Sequence, residues 1–401
     1  MPLSHGKTYF VDAARGRDGW PGTKARPWRS LQRAVNRVPL SGSTIVVAPA
    51  VYADGLRFRR RGDPRNPITV VAAHKGSVTF VGTSSAPSLW TYDATGFRIS
   101  GMRFTSQAPR VDTYVDNVLI ERSSRIEISD SVIADSAMEG VIVRGGASSG
   151  QVSDDVWVYG DTFRASAPSL KTPATGRGWS PEQYFGSKGS HFVYAGQVGN
   201  NASYDYESGC SRLVIANSVF VGTTAGRDVE LGPQARHSFV VNNTFVGNYA
   251  IEVFGAQTLA RYAGGGVELY SDNQLPYATR DNLIANNIFA DLDGHAVSGS
   301  GPPMQGNVVR DNLTWRTRNG MGYSGDARLP FQWWSGAPQN VLFVAKGNVV
   351  GNPLFVDVDA WDFHLRGRSR AVHGGDAAVA PPLDKNGRPR GHVPGFGAFT
   401  D

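Results

Sequence analysis

Short runs of alternating apolar and polar residues recur along the chain, separated by Gly, Asn, Asp and Ser. In Val141–Arg144 the alternation sets Val141 and Val143 on one face and Ile142 and Arg144 on the other. In Arg227–Leu231 it opposes Val229 and Leu231 to Asp228 and Glu230. Further strands of this kind are expected at 190–194, at 250–254 or 266–270, and at 295–298. A phrase of the form Asn-Asn-x-Phe runs ahead of them, clearest in Val241-Asn242-Asn243-Thr244-Phe245 and Ala285-Asn286-Asn287-Ile288-Phe289. Weaker copies align on the second Asn, giving positions 102, 131, 161, 218, 243, 287, 312 and 348.

The spacings are 29, 30, 57, 25, 44, 25 and 36 residues. Counting 57 and 44 as two coils each leaves roughly 22 to 36 residues per coil, the period of a solenoid repeat. Leucine-rich and ankyrin repeats share that period, but they need Leu ladders or helix pairs, and β-branched and aromatic runs argue for strands instead. In each copy a strand leads into a tight bend and a second strand. Asn tolerates the left-handed conformation at the bend, and stacked Asn side chains can bond coil to coil. The following Phe, Ile or Val points inward and stacks on its counterparts. The expected fold is all-β, a single parallel β-helix with long inter-coil loops. One domain spans 1–401, with a cap region over 1–55, coils over 56–350 and a closing segment over 351–401.

Ser30 can N-cap a short helix that places Leu31, Ala34, Val35 and Val38 on one side, a face suited to covering an open solenoid end. Around it stand Tyr9-Phe-Val-Asp, Gly16-Arg-Asp18, Gly22-Thr23, Pro27-Trp28 and Ile45-Val-Val-Ala-Pro-Ala-Val-Tyr52. Near the far end come Asn352-Pro-Leu-Phe, Asp362-Phe-His-Leu365, Asp384-Lys-Asn-Gly-Arg-Pro-Arg390 and Gly395-Phe-Gly-Ala-Phe399. Together these resemble the right-handed parallel β-helix proteins of the pectate-lyase-like superfamily across nearly the whole chain. The resemblance implies a right-handed helix and a carbohydrate-active enzyme. The superfamily also holds hydrolases, epimerases and phage tail proteins, so fold alone does not choose the reaction.

No apolar run reaches the ~18 residues of a membrane span. The first residues lack the apolar core of a signal peptide, so an extracellular or periplasmic site implies a signal outside this sequence, and a cytoplasmic site stays open. The single Cys210 can make no internal disulfide and reads as a small core residue. The net charge of +6 is carried by 33 Arg against 7 Lys. Guanidinium forks hold carboxylates bidentately, which points to an acidic polysaccharide or oligosaccharide as substrate. With no basic run or recognised motif, nucleic acid is disfavoured.

The repeat is interrupted at 164–212 and 256–280, and long loops on a rigid scaffold are where sites gather. A uronate lyase must neutralise a carboxylate, remove a proton and protonate the leaving oxygen. Arg144, Lys188, His191 and Tyr194 supply those groups, with Trp179, Arg212, Arg227, Tyr270 and His295 as substrate contacts. A hydrolase needs two carboxylates, which Glu230 and Glu268 offer with Asp228 and Glu252 beside them. The same acids, with Asp205 and Glu207, make Ca²⁺ a possible ligand, although no spacing matches a Ca²⁺ motif. Elimination leads on the Arg, His and Tyr set, hydrolysis is second, and a non-catalytic glycan-binding β-helix is third. Oligomeric state is not readable from the chain. Outward polar residues on a solenoid serve first to solvate it, so each site residue competes with that plainer role.

Overall fold

A computed structural model describes residues 4–83, 85–106, 116–136, 139–146, 151–164, 191–196, 209–222, 227–247, 265–272, 278–292, 294–317 and 342–400. Three long parallel sheets run the length of the chain, with eleven, ten and eight strands, here called sheets I, II and III. One coil shows the order. Ser124–Ser129 lies in sheet I, Val132–Ala134 in sheet II and Val141–Arg144 in sheet III, after which Ser153–Tyr159 returns to sheet I. Each strand pairs in register with its counterpart one coil away.

The repeated phrase builds the corner between sheets I and II, and its two positions divide the labour. The first is left-handed in every copy, whether Gly101, Asp130, Gly160, Asn217, Asn242, Asn286, Asp311 or Gly347, with φ between 52° and 76°. Gly, Asn and Asp are the residues that reach this region cheaply. The second position points inward and ties the coils together. The Asn243 N–H donates to Asn287 Oδ1, that of Asn287 to Asn312 and that of Asn312 to Asn348, at 2.9, 2.9 and 3.0 Å. The same line continues toward the N-terminus through Ser218, Asp161 and Ser131 to Met102. Buried main-chain donors that would otherwise be unpaired thus receive partners. Two positions on, Phe163, Phe220, Phe245 and Phe289 stack at 4.6 to 4.7 Å between centroids.

One expectation needs correcting. The 57-residue and 44-residue intervals are each a single coil. Ser153–Tyr159's strand pairs directly with Cys210–Ala216, and Thr244–Val246 directly with Ile288–Ala290. The extra residues are inserted in the connections beside sheet III, which lengthens the chain without adding a coil. A second ladder at the corner between sheets III and I, through Ser238, Asn282 and Asn307, was also missed.

Ser30 caps the helix Leu31–Arg37, its side chain accepting the Arg33 N–H at 3.2 Å. Leu31, Ala34, Val35 and Val38 join the core as expected. Cys210 is fully buried, and burial pushes its thiol up, consistent with a core residue. The last fifty residues form a hairpin, Phe355–Asp357 with Asp362–Leu365, and then run back along the corner of sheets I and II. Among the described residues no helix is long and apolar enough to cross a membrane.

Candidate functional site

Sheet III gathers most of the candidate residues because its register lines up one outward position in every coil. Trp90, Leu119, Ile142, Tyr194, Glu230, Glu268 and Ser298 are successive partners in that row. Their neighbours Leu89, Val118, Val141, Val193, Val229, Val267 and Val297 point into the core with no exposure. Parallel strands lie ~4.8 Å apart, so Tyr194, Glu230 and Glu268 are brought together from distant parts of the sequence.

His191 stands beside this row and is held from three sides. Its backbone N–H donates to Glu139 Oε2, its Nδ1 accepts the Arg227 N–H at 2.9 Å, and its Nε2 lies 3.0 Å from Glu230 Oε2. Since Nδ1 accepts, the ring hydrogen resides on Nε2 and is donated to Glu230. Burial pulls the imidazole down, but Glu230 and Glu139 outweigh it and lift it to about 9. A second proton would have to displace the Arg227 N–H from Nδ1, so that hydrogen bond is the counterweight. Burial pushes Glu139 itself up to about 8, with His191 partly opposing. Asp116 accepts the Glu139 N–H at 3.3 Å, and burial lifts it to about 6.

Glu268 is held at both oxygens: one lies 3.1 Å from Arg227 Nε in an ion pair, and the other accepts from Ser300 Oγ at 2.8 Å. Burial, then Glu230 and Glu139, push the Tyr194 hydroxyl well above the usual phenol range. That phenol lies across Gly232, where a Cβ would fall 2.8 Å from its oxygen, so the close approach requires glycine. Tyr270 is also raised, by burial and then Asp272. His295 is 7% exposed, and burial together with Arg227 lowers it to about 4, keeping it neutral. Among the described residues no group of three or more His, Cys, Asp or Glu is arranged to hold a metal ion.

No protein-family profile and no curated protein matches the chain. Solved structures do. A pectate lyase superposes with a TM-score of 0.56 at 14% identity, covering 99% of this chain and 97% of its own. An alginate lyase from Paenibacillus sp. gives 0.48 at 16% identity, over 80% and 95%. A lacto-N-biosidase from Eubacterium ramulus gives 0.49 at 14%, over 86% and 67%. The fold is that of the pectate-lyase-like right-handed parallel β-helix. At these identities the likeness is one of fold.

Within this β-helix, the expected residues separate into groups. His191, Tyr194, Arg227, Glu230 and Glu268 converge, with Tyr270 and His295 bordering them. Arg144 lies on the same sheet two strands from Glu230, paired with Glu121 at 3.2 Å. Arg212 is elsewhere, on sheet I, where it binds Asp154 and Asp155 and is half exposed. Its guanidinium serves that ion network because its strand belongs to a different face. Lys188, Trp179, Glu252, Asp205 and Glu207 lie outside the described residues. The outward acids were expected to be solvated; Asp228, Glu230 and Glu139 are instead 3%, 9% and 3% exposed. Glu139, Asp116 and Ser300 were missed as members of the cluster. The only signal for Glu139 was an acid two residues before an apolar strand.

Proposed function

We propose that this protein is a carbohydrate-active enzyme that hydrolyses a glycan lying along the outer face of sheet III. The observation that carries this reading is the adjacent pair Glu230 and Glu268, direct register partners on one outward row. Their strand spacing of ~4.8 Å is close to the ~5–5.5 Å carboxyl separation of retaining glycosidases. Glu268, ion-paired with Arg227 at one oxygen and accepting from Ser300 at the other, faces the positive charge that develops at the anomeric carbon. Glu230, in hydrogen-bond contact with His191 Nε2, serves proton transfer. Among the described residues, the guanidiniums on this face near the reacting centre are already engaged, Arg144 by Glu121 and Arg227 by Glu268. A carboxylate-rich centre also repels a substrate carboxylate.

One observation favours β-elimination as the second reading. The raised Tyr194 hydroxyl keeps its proton and sits with its ring 6.0 Å from that of His191, suited to protonating a leaving oxygen. A polysaccharide substrate favours an extracellular or periplasmic site for either activity. Incubation with a panel of neutral and uronate-containing polysaccharides separates the readings. Reducing ends without ultraviolet absorbance from an unsaturated uronate support hydrolysis. Reducing ends with that absorbance move the assignment to elimination, and neither signal would leave binding alone.

A further inference from the structure

The N-terminal coils of the same sheet face carry a different kind of surface. Arg57 opens the outward row that leads through Trp90 to Glu230, and Tyr92 lies two residues beyond Trp90. The Arg57 guanidinium lies 5.8 Å from the Trp90 ring, and that of Arg59 lies 5.4 Å from Trp90 and 4.7 Å from Tyr92. Arg122 covers Tyr92 from another side at 5.0 Å and donates to its hydroxyl at 2.8 Å. The two rings meet edge to face at 5.8 Å. Gln32 of the capping helix fixes Arg57 through both of its backbone groups, at 2.9 and 2.7 Å.

Charge pairing distinguishes the members. On this face Arg122, Arg144 and Arg227 are each matched by a carboxylate, Asp93, Glu121 and Glu268. Arg57 and Arg59 are exposed, and among the described residues no carboxylate pairs with either. A guanidinium stacked on an aromatic ring keeps its edge donors free, in the planar arrangement that receives a carboxylate with two hydrogen bonds. The Trp90 indole N–H is buried without a partner among the described residues. Two fixed, uncompensated positive charges therefore stand beside a ring surface of the kind that stacks on sugars.

We infer that Arg57, Arg59, Trp90 and Tyr92 form a binding subsite for uronate units of an acidic glycan chain. Trp90 and Glu230 are four strand steps apart, about 19 Å at ~4.8 Å per step. Resting on the hydrolytic reading above, this separates an anionic stretch held by the N-terminal coils from the linkage presented to the carboxylate pair. The substrate is then acidic where the N-terminal coils hold it and uncharged at the unit presented to the acidic centre.

The test is calorimetric binding of an oligogalacturonate and of a neutral cello-oligosaccharide of matched length to the Glu230→Gln protein. Expected is a preference for the uronate of about tenfold or more, weakened by salt, as charge-assisted contacts give. Arg57→Gln with Arg59→Gln removes the preference while the melting temperature holds, and Trp90→Ala weakens both ligands. Equal affinity for the neutral chain, or a preference that survives in the double variant, overturns the subsite. So does equal competition by short single-stranded DNA, which marks a general polyanion surface. Hydrolysis retained by Glu230→Gln would instead overturn the proposed function and leave this binding result standing.

Discussion

The outer faces of sheets II and III start from the same coil geometry and end in opposite conditions. On sheet II the outward residues of the later coils are apolar and sealed by the C-terminal tail. Val219, Val221 and Val246 pack with Phe363 and Phe399, while Ile288, Ala290 and Leu313 pack with Leu365, Val372 and Phe396. The corner residues then tie the tail's main chain. Asn242 donates to the Gly395 carbonyl and Asn286 to that of Asp376, both at 2.9 Å, and the Gly397 N–H returns to Asn286 at 2.7 Å. On sheet III the outward positions hold Tyr194 and Glu268, half-buried, and Glu230, buried, all of them ionisable. Covering apolar residues stabilises; burying acids costs stability unless donors are supplied. The two faces thus differ in what burial does to stability, and the proposed site lies on the costly one.

The sharpest way to break this comparison is Glu230→Gln. If the sheet III face is catalytic, turnover drops about a thousandfold, within the range of general acid–base catalysis, while the melting temperature barely moves. A tail-face change should do the reverse. Phe396→Ala removes a buried ring and costs ~3–5 kcal/mol in denaturant unfolding, with turnover per folded molecule preserved. Between the faces, Asn287→Ala leaves the Asn243 N–H without its acceptor and costs ~1–3 kcal/mol by the same measurement.

The smallest effect concerns pH. Folded Glu139 keeps its proton up to about 8, whereas an ordinary glutamate loses it near 4.5, so across that window the folded state binds the extra proton. The stability this contributes is present at low pH and is lost as pH rises toward 8. The melting temperature of the wild type should fall by a few degrees over that interval. Glu139→Gln should flatten the fall; an equal slope in both proteins would remove Glu139 from the account.

The two faces also differed in how far they could be read in advance. The ladder positions 131, 161, 218, 243, 287, 312 and 348 and the inward Phe stack follow from a local pattern that every coil repeats. The Ser30 cap is equally local. Coil count failed at 57 and 44 residues because an insertion beside a sheet looks, in sequence, like a missed repeat. The first Asn was read as a bend only; its side chain also receives the tail, a partner 90 residues away in the case of Asn286 and Asp376. His191 and Glu139 are 52 residues apart, and only the strand register joins them. Residue types suggested His191, Tyr194, Glu230 and Glu268, but burial and pairing decided which acids differ from solvated ones.

The central claim is that Glu230 and Glu268 cleave a glycosidic bond with water. Turnover of a susceptible polysaccharide in heavy-oxygen water, followed by mass spectrometry of the released chains, tests it directly. The account predicts one heavy oxygen at each new reducing end, and loss of that labelled product in Glu230→Gln. Released chains that carry an unsaturated end and no label, or undiminished labelling by Glu230→Gln, would contradict it.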